Sequence, residues 1–353
     1  MTATVAVVGV PGTRGVEAAL RACAVAGVTP VPVVDRAEVA RSWRTATAVL
    51  VTASSHASVS GVPRRAFVAV LDDTAGAELA AWRLAVGLGA ETVFGSDDDL
   101  RRLVEWLALA GEPHGPPGVV VGVAGACGGA GASTLAAALA LRRASAAKVT
   151  LVDADPAGGG IDVLLGAEKS PGARWPDLLA SRGVVAADAL AGALVQAEDV
   201  AVLSWSPREA PELSVEAMDA VLSAAARGSD LVVVDLPRAV DAAAEHAAAR
   251  SDRVVLVVPA SVRAVASAAA AAARWSGLGA DIGLAVRHPG PADLTPPAVA
   301  DAVGLPLLGV VPTDARLANL GDRGQFVRGL RRSPVGAAAD AIASRLAELR
   351  AAA

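Results

Sequence analysis

The residues best suited to chemistry lie between positions 119 and 141, in the sequence VVVGVAGACGGAGASTLAAALAL. Five apolar residues precede a glycine-rich turn at 125–131, and Ser133 and Thr134 then open an alanine- and leucine-rich run. Glycines allow successive backbone N–H groups to converge on an anion, because no Cβ blocks the approach. This order of strand, turn and helix predicts a phosphate-binding loop whose Ser/Thr pair caps the helix and offers a hydroxyl to Mg²⁺.

The predicted loop has no lysine. Loops of this type carry a lysine immediately before the Ser/Thr, where this chain has Ala132. Lysine occurs only at Lys148 and Lys169, whereas arginine is plentiful, which is typical of a GC-rich coding bias. Such a bias explains arginine in place of lysine but not alanine. The residues expected to bind phosphate form one continuous segment: Gly128, Gly129, Ala130, Gly131, Ala132, Ser133 and Thr134.

Three aspartates follow the loop at the ends of apolar runs. Asp153 and Asp155 come after the run at 149–152, and Asp235 closes the run at 231–234. Open α/β sheets bind ligands at the C-terminal ends of their strands, and carboxylates placed there suit Mg²⁺ coordination and water orientation. The alternative is that Asp153 and Asp155 are surface-turn residues and that Asp235 ends an ordinary strand. We favour a metal site because all three follow a glycine loop.

Residues 1–110 alternate between strand and helix signals. Strands are predicted at 5–10, 30–34, 48–52, 67–71 and 92–94, and helices at 16–25, 37–41, 76–88 and 97–109. Such alternation implies a parallel sheet with helices on both faces. Five strands with intervening helices resemble the flavodoxin-like receiver domain of response regulators.

The residues that carry out phosphorylation in a receiver are missing. Val10 and Pro11 stand where that family has its acidic pair. Thr52 and Ala53 stand in place of the phosphoacceptor aspartate, and Gly95 and Ser96 in place of the lysine. We therefore predict a pseudo-receiver that serves as a docking or dimerisation module. A generic Rossmann-like lobe is the alternative, although the glycines of 9–15 lack the spacing of a dinucleotide fingerprint.

Composition divides the chain into two domains. The segment 111–118 (GEPHGPPG) is predicted to be a Pro/Gly linker between a domain at 1–110 and a domain at 119–353. The second domain is expected to be a mostly parallel sheet, with further strands at 254–259, 282–286 and 307–312 and helices at 262–275 and 335–350. An apolar run lies at 200–205.

Two segments near the end of the chain are candidates for contact with a membrane or a partner. We interpret 315–326, which is followed by arginines at 328, 331 and 332, as a solvated loop, and the alternative is a contact site for an acidic partner or a membrane lipid. The helix at 335–350 is short of bulky apolar and basic residues, so packing on the sheet is favoured over a membrane anchor.

Charge and cysteine content bound the remaining classes of function. The net charge of −5 gives no basic field that would recruit nucleic acid. Cys23 and Cys127 are far apart and suggest no disulfide framework, which fits a reducing cytoplasm. The N-terminus lacks a basic segment and moves directly into a strand, so we expect no signal peptide.

The motifs of 119–326 together resemble the MinD/ParA family of P-loop ATPases. They are the glycine loop, an Asp-x-Asp, a strand ending in Asp-x-Pro and a final Val-Val-Pro-x-Asp strand. A pseudo-receiver placed before them resembles the CpaE/TadZ-like branch of this family. The segments DADPAGGGIDVLLGAE, GARWPDLL and VVVDLPR are similar to actinobacterial septum site-determining (Ssd), CpaE-like proteins.

The resemblance implies a site for ATP or ADP with Mg²⁺. In the family, Ser133, Asp153 and Asp235 would match the Mg²⁺-associated residues, and Asp155 would match the catalytic aspartate that orients water. The family loop reads Lys-Gly-Gly-x-Gly-Lys-Ser/Thr, and this chain has Cys127 and Ala132 in place of its two lysines. An asparagine that often contacts the base is replaced by Arg287 and His288.

The missing lysines are expected to weaken or abolish nucleotide binding. Losing one charge-assisted hydrogen bond of roughly 1.5–3 kcal/mol weakens binding about 10- to 100-fold. Hydrolysis suffers more, because positioning and electrostatics supply nearly all catalysis of phosphoryl transfer. We therefore expect little or no ATPase activity from the isolated protein.

The resemblance implies a localisation regulator that self-associates as a dimer. Its expected partners are proteins of cell division or of a Tad-type pilus or secretion apparatus. It is expected in the cytoplasm, at the septum or pole, with only peripheral membrane contact. The first alternative is a genuine, slow ATP switch activated by a partner, and the second is a biosynthetic ligase of similar fold.

Overall fold

A computed structural model of the chain describes residues 3–63, 65, 67–73, 78–95, 100–110, 117–179, 185, 187–205, 212–239, 241–277, 280–288 and 294–351. The chain forms two compact units, Met1–Gly115 and Pro116–Ala353. Several predictions of the sequence lie outside the described residues: linker positions 111–116, Ser96, and the starts of the helices at 76–88 and 97–109.

Strands and helices alternate in the first unit. Its elements are β1 (Thr4–Val8), α1 (Arg14–Ala26), β2 (Thr29–Val33), α2 (Arg36–Thr45), β3 (Ala48–Thr52), a 3₁₀ helix (Ala53–Val59), β4 (Val68–Leu71), α3 (Glu78–Leu88), β5 (Thr92–Phe94) and α4 (Leu100–Ala110). The sequence-based strand positions agree within two residues, and the 3₁₀ helix was not predicted.

The five strands of the first unit form one parallel sheet in the order β2-β1-β3-β4-β5. This order is that of flavodoxin-like, doubly wound proteins and confirms the predicted fold class. The inner strands β1, β3 and β4 are continuous apolar runs because helices cover both faces of the sheet. Trp106 of α4 is fully buried on one face, where its Nε1 donates a hydrogen bond to Glu91 Oε2 at 3.0 Å.

The second unit contains a larger sheet. Its strands are β6 (Val119–Gly125), β7 (Val149–Asp153), β8 (Val195–Ala197), β9 (Val200–Leu203), β10 (Leu231–Asp235), β11 (Arg253–Pro259), β12 (Ile282–His288) and β13 (Leu307–Pro312). Its helices are α5 (Ala132–Arg143), α6 (Ile161–Leu165), α7 (Trp175–Leu178), α8 (Ala187–Ala193), α9 (Val215–Gly228), α10 (Ala242–Ala249), α11 (Val262–Ser276), α12 (Pro296–Val303), α13 (Ala315–Gly321), α14 (Phe326–Leu330) and α15 (Pro334–Ala351).

The strand order of this sheet is β13-β12-β11-β6-β10-β7-β9-β8. All neighbours are parallel except β8 and β9, which pair antiparallel. The sheet separates two apolar cores, one on each face. The first strand, β6, lies in the middle, so the direction of the winding changes there. Ligands of open α/β sheets bind at such a switch point, beyond the carboxyl ends of the strands.

The interpretation of 315–326 as a solvated loop was wrong. Residues 315–321 form α13, and α14 begins at Phe326. Leu317 and Phe326 are almost fully buried in the core on one face of the sheet. Asp314 starts the first of these helices, because its Oδ1 accepts a hydrogen bond from the N–H of Leu317 at 3.0 Å.

The last helix packs on the sheet as predicted. Ile342 of α15 is fully buried, and a Cβ at Gly309 of β13 would lie only 2.6 Å from its Cγ1. Arg142 of α5 donates hydrogen bonds to both carboxylate oxygens of Asp340. No helix in the described part of the chain combines the length and apolar character that a bilayer crossing requires.

We predict that Trp106→Ala destabilises the protein by about 3–5 kcal/mol, because it leaves a large cavity in the core and removes the hydrogen bond that Glu91 Oε2 accepts. Trp82 is half-exposed, so Trp82→Ala is the matched control and should cost less than about 1 kcal/mol. Urea denaturation of the full chain, followed by circular dichroism, measures both. Equal losses in the two variants would contradict the burial of Trp106 in the core.

Candidate functional site

The glycine turn joins β6 to α5 at the centre of the larger sheet. It closes through a hydrogen bond from the N–H of Ala130 to the carbonyl of Cys127 (3.2 Å). Gly129 (φ +69°) and Gly131 (φ +99°) occupy the left-handed region, which residues with a Cβ rarely adopt. Gly131 is the N-cap of α5 and supplies no side-chain cap. The prediction that Ser133 and Thr134 cap the helix was therefore wrong, since both lie in its first turn.

The outer side of the turn is open. A Cβ at Gly128 or Gly129 would meet no atom within 4 Å. The first N–H groups of an α-helix have no acceptor within the helix, and the helix dipole makes this end positive. The turn and α5 can therefore offer backbone N–H groups to an anion. Cys127 and Ala132, which the sequence resemblance places at the positions of two lysines, are half-buried and pack on the core.

Asp153 ends β7 beside the turn and is held by the backbone that follows it. Its Oδ1 accepts a hydrogen bond from the N–H of Asp155 (3.0 Å), and its Oδ2 accepts one from the N–H of Ile161 (2.9 Å). Only 2% of Asp153 is exposed. Its backbone carbonyl accepts hydrogen bonds from the indoles of Trp175 (2.6 Å) and Trp205 (3.2 Å). These contacts fix the position of the carboxylate on the cleft side of the strand.

Asp235 ends the neighbouring strand β10 and is paired in register with Asp153. Burial raises the pKa of Asp153 to about 7, against the opposing effect of its hydrogen bonds. Burial, followed by repulsion from Asp153, raises the pKa of Asp235 to about 8, and a hydrogen bond with Ser133 lowers it in part. Among the described residues, hydrogen bonds rather than a neighbouring cation oppose this rise in the pKa of both carboxyl groups.

A cleft of about 740 Å³ opens at this edge of the sheet. It is lined by five of the predicted site residues: Ser133, Thr134, Asp153, Asp155 and Asp235. Glu168 and Arg323 lie across it. The structure therefore brings the start of α5 and the three aspartates together, as the sequence motifs predict that it should.

The donor set of the cleft fits Mg²⁺ held jointly with a phosphate. Carboxylate and hydroxyl oxygens are the ligands that Mg²⁺ prefers, and it is usually bound by one or two carboxylates plus phosphate oxygens. Within the described residues, no group of three or more His, Cys, Asp or Glu side chains is arranged to hold a metal ion alone. A cation at this edge would therefore depend on oxygens that a ligand brings.

Sequence reasoning missed the residues that support Asp153 from behind. Ser204, fully buried after β9, donates to Asp162 Oδ1 (2.9 Å) and lies 3.3 Å from Asp153 Oδ2. The buried Asp162 forms an ion pair with the partly buried Arg174, whose Nε lies 3.0 Å from Oδ2. The position of Ser204 at the end of a predicted apolar run could have indicated a polar residue near Asp153. No sequence pattern indicated that Asp162 and Arg174 would pair.

Arg287 is the other site residue whose contact the sequence did not reveal. It lies near the carboxyl end of β12, and its Nη1 donates a hydrogen bond to the carbonyl of Gly129 at 2.7 Å. Sequence comparison with the family placed it where an asparagine contacts a base. In the structure it contacts the glycine turn.

We predict that Asp235→Asn stabilises the protein more at pH 8.5 than at pH 5. The folded-state pKa, about 8, is above the usual value of 3.8, so the folded protein retains a proton that the unfolded chain has lost. The free energy of unfolding therefore falls as the pH rises between about 4 and 8. Asparagine cannot ionise and removes this loss, which is on the order of a few kcal/mol.

Denaturation of wild type and variant at the two pH values measures the difference. The exposed Asp188 supplies the control, since Asp188→Asn should give nearly the same change in stability at both. A pH-independent effect of Asp235→Asn would contradict the burial that raises the pKa of this carboxyl group.

Solved structures confirm the fold of the larger unit as MinD/ParA-like. A ParA family ATPase from Chlorobium tepidum matches 66% of this chain and 99% of its own, with a TM-score of 0.55 and 18% identity. The septum site-determining protein MinD of Pyrococcus horikoshii, solved in complex with Mg-ADP, matches 66% of this chain and 97% of its own, with a TM-score of 0.52 and 20% identity. At such identities the likeness concerns the fold.

The sequence has closer relatives. Residues 14–118 match the family model described as Rv3660c-like, CheY-like N-terminal domain, which confirms the receiver-like fold of the first unit. The chain is 40% identical over 325 residues to protein Rv3660c of Mycobacterium tuberculosis (strain H37Rv), covering 90% of this chain and 91% of that protein. The chain therefore belongs to the Rv3660c-like family.

Proposed function

We propose that this protein is a localisation regulator of the CpaE-like, septum site-determining type, built on a MinD/ParA fold. It acts in cell division or in the positioning of a Tad-type pilus or secretion system. One observation carries the proposal: the glycine turn and the buried pair Asp153 and Asp235 lie at one edge of a MinD/ParA-like sheet, while Ala132 and Cys127 leave the turn without a lysine. The frame of a nucleotide switch is thus present and its main phosphate-binding charge is not.

The nucleotide site is proposed to bind weakly. Backbone N–H groups of the turn and of the start of α5 bind phosphate through residues 128–134. Ser133, Asp153 and Asp235 hold Mg²⁺ together with the nucleotide, which supplies the remaining oxygens. The Mg-ADP complex of the P. horikoshii protein shows that a related fold accepts this ligand. Asp155, which lines the cleft, orients water if any hydrolysis occurs.

The first unit is proposed to act as a docking or dimerisation module. The positions for receiver phosphorylation hold Val10, Thr52 and Gly95 instead of acidic residues and a lysine. Thr52 is fully buried and donates its hydroxyl hydrogen bond within the fold, to Ser55 Oγ at 2.9 Å. A surface that no longer undergoes phosphorylation remains available for protein contacts, including contacts with a second copy of the chain.

A genuine ATP-dependent switch is the second candidate. The observation that favours it is the precise support of Asp153 by two backbone N–H groups, which holds the carboxylate towards the cleft. In this case a partner supplies the missing positive charge and hydrolysis is slow without it. A ligase of similar fold is disfavoured by the receiver-like unit and would release phosphate only with its substrate.

The first experiment is a calorimetric titration of the full chain with ATP and ADP, with and without Mg²⁺. We expect wild type to bind weakly and in a Mg²⁺-dependent way. Ala132→Lys restores a charge-assisted hydrogen bond and should tighten binding about 10- to 100-fold. Micromolar binding by wild type would instead favour the switch. If the variant gained nothing, the turn would not be a phosphate site.

The second experiment tests the role in the cell. We expect a fluorescent fusion to collect at the septum or pole, and deletion of the gene to change septum placement or pilus assembly. Asp155→Ala should localise as wild type does, because the regulator acts through its surfaces. A diffuse Asp155→Ala protein would favour the switch, and normal division and pilus assembly without the protein would contradict the proposal.

A further inference from the structure

Arg287 contacts the glycine turn from strand β12, whereas the aspartates lie on β10 and β7, beyond β6 in the strand order. The relevant strand order is β12-β11-β6-β10-β7, so β12 and the two acidic strands lie on either side of β6. Arg287 pairs with Pro259 at the end of β11, and its side chain continues to Gly129, whose carbonyl accepts the hydrogen bond from Nη1 at 2.7 Å. The side chain therefore spans β11 and lies against the turn.

The guanidinium also lies beside the start of α5. A Cβ at Gly131, the N-cap of this helix, would be 3.7 Å from Nη1 and 3.8 Å from Cδ of Arg287. The N-terminus of a helix carries a partial positive charge, so a cation placed there is disfavoured. Two positive groups thus converge on one short segment of backbone. The hydrogen bond to Gly129 offsets part of this repulsion. An anion bound between the guanidinium and the start of α5 would be attracted by both groups.

Arg287 retains the capacity to bind such an anion. A guanidinium has five N–H donors in a fixed planar array, and the contact with Gly129 uses Nη1. The remaining donors suit the bidentate recognition of phosphate oxygens that arginine favours. A positive charge, absent at position 132, thus lies against the turn on a strand that is distant in sequence.

We propose that Arg287 is the phosphate-binding cation of this turn and replaces the lysine that is missing at position 132. The inference rests on the proposed function, in which the turn retains weak affinity for phosphate. The ligand class follows from the charges on the two sides of β6. Arg287 is cationic and Asp153 and Asp235 are acidic, so a Mg²⁺-bound polyphosphate complements both sides and free inorganic phosphate complements only one.

Arg323 is the competing cation. It lines the cleft on the acidic side, between Asp322 and Gly324, and its side chain is exposed. Arg323 has no contact with the glycine turn among the hydrogen bonds and ion pairs of the described residues. A variant at each arginine separates the two assignments.

The test is a calorimetric titration of full-length wild type, Arg287→Ala and Arg323→Ala with ATP and with tripolyphosphate in the presence of Mg²⁺. Arg287→Ala should weaken the affinity for both ligands about 10- to 100-fold, as the loss of one charge-assisted contact implies. Arg323→Ala should bind as wild type does. Arg345 is exposed on α15, and Arg345→Ala is the control for a general loss of positive charge.

A double variant separates a lost charge from a damaged fold. Adding Ala132→Lys to Arg287→Ala should restore affinity to at least the wild-type value, because the lysine supplies the same charge from within the turn. Unchanged or tighter binding by Arg287→Ala would overturn the proposal, as would a loss confined to Arg323→Ala. If the wild-type protein bound neither ligand, the assignment of Arg287 would also be overturned. The localisation role would still be decided by the imaging experiment.

Discussion

The parallel pairing of β10 with β6 and β7 determines the whole site. Its register sets Asp235 opposite both Val123 and Asp153, so one strand places a carboxylate between the glycine turn and the second carboxylate. Parallel strands all end at the same edge, and residues far apart in the sequence become neighbours there without any local signal. A shift of β10 by one residue would turn Asp235 to the other face of the sheet and separate it from Asp153.

This register imposes an electrostatic cost. Two carboxyl groups lie almost fully buried next to each other, and the residues that would carry positive charge in the family, at positions 127 and 132, are neutral here. Backbone N–H groups and the Ser133 hydroxyl stabilise the charged forms only in part, as the raised pKa values show. Strongly perturbed carboxyl groups of this kind cluster at functional sites, and the proposed Mg²⁺ would offset the cost of burying their charge.

Much of the architecture was predictable, because buried parallel strands are continuous apolar runs and their ends are marked by glycine or aspartate. The errors have physical reasons. Ser133 and Thr134 look like caps, yet the left-handed Gly131 takes that position. The polar composition of 315–326 hid Leu317 and Phe326, which anchor two short helices. Contacts such as Asp162–Arg174 depend on the tertiary path of the chain, which no local pattern encodes.

The two indoles behind Asp153 have a consequence of their own. Trp175 and Trp205 lie with ring centroids 5.8 Å apart, and both donate to one carbonyl oxygen at the end of β7. Indole emission is sensitive to the strength of such a hydrogen bond and to a neighbouring ring. Any displacement of this strand end would therefore alter the light that the pair emits, and the chain carries an intrinsic optical reporter directly behind the buried carboxylate of Asp153.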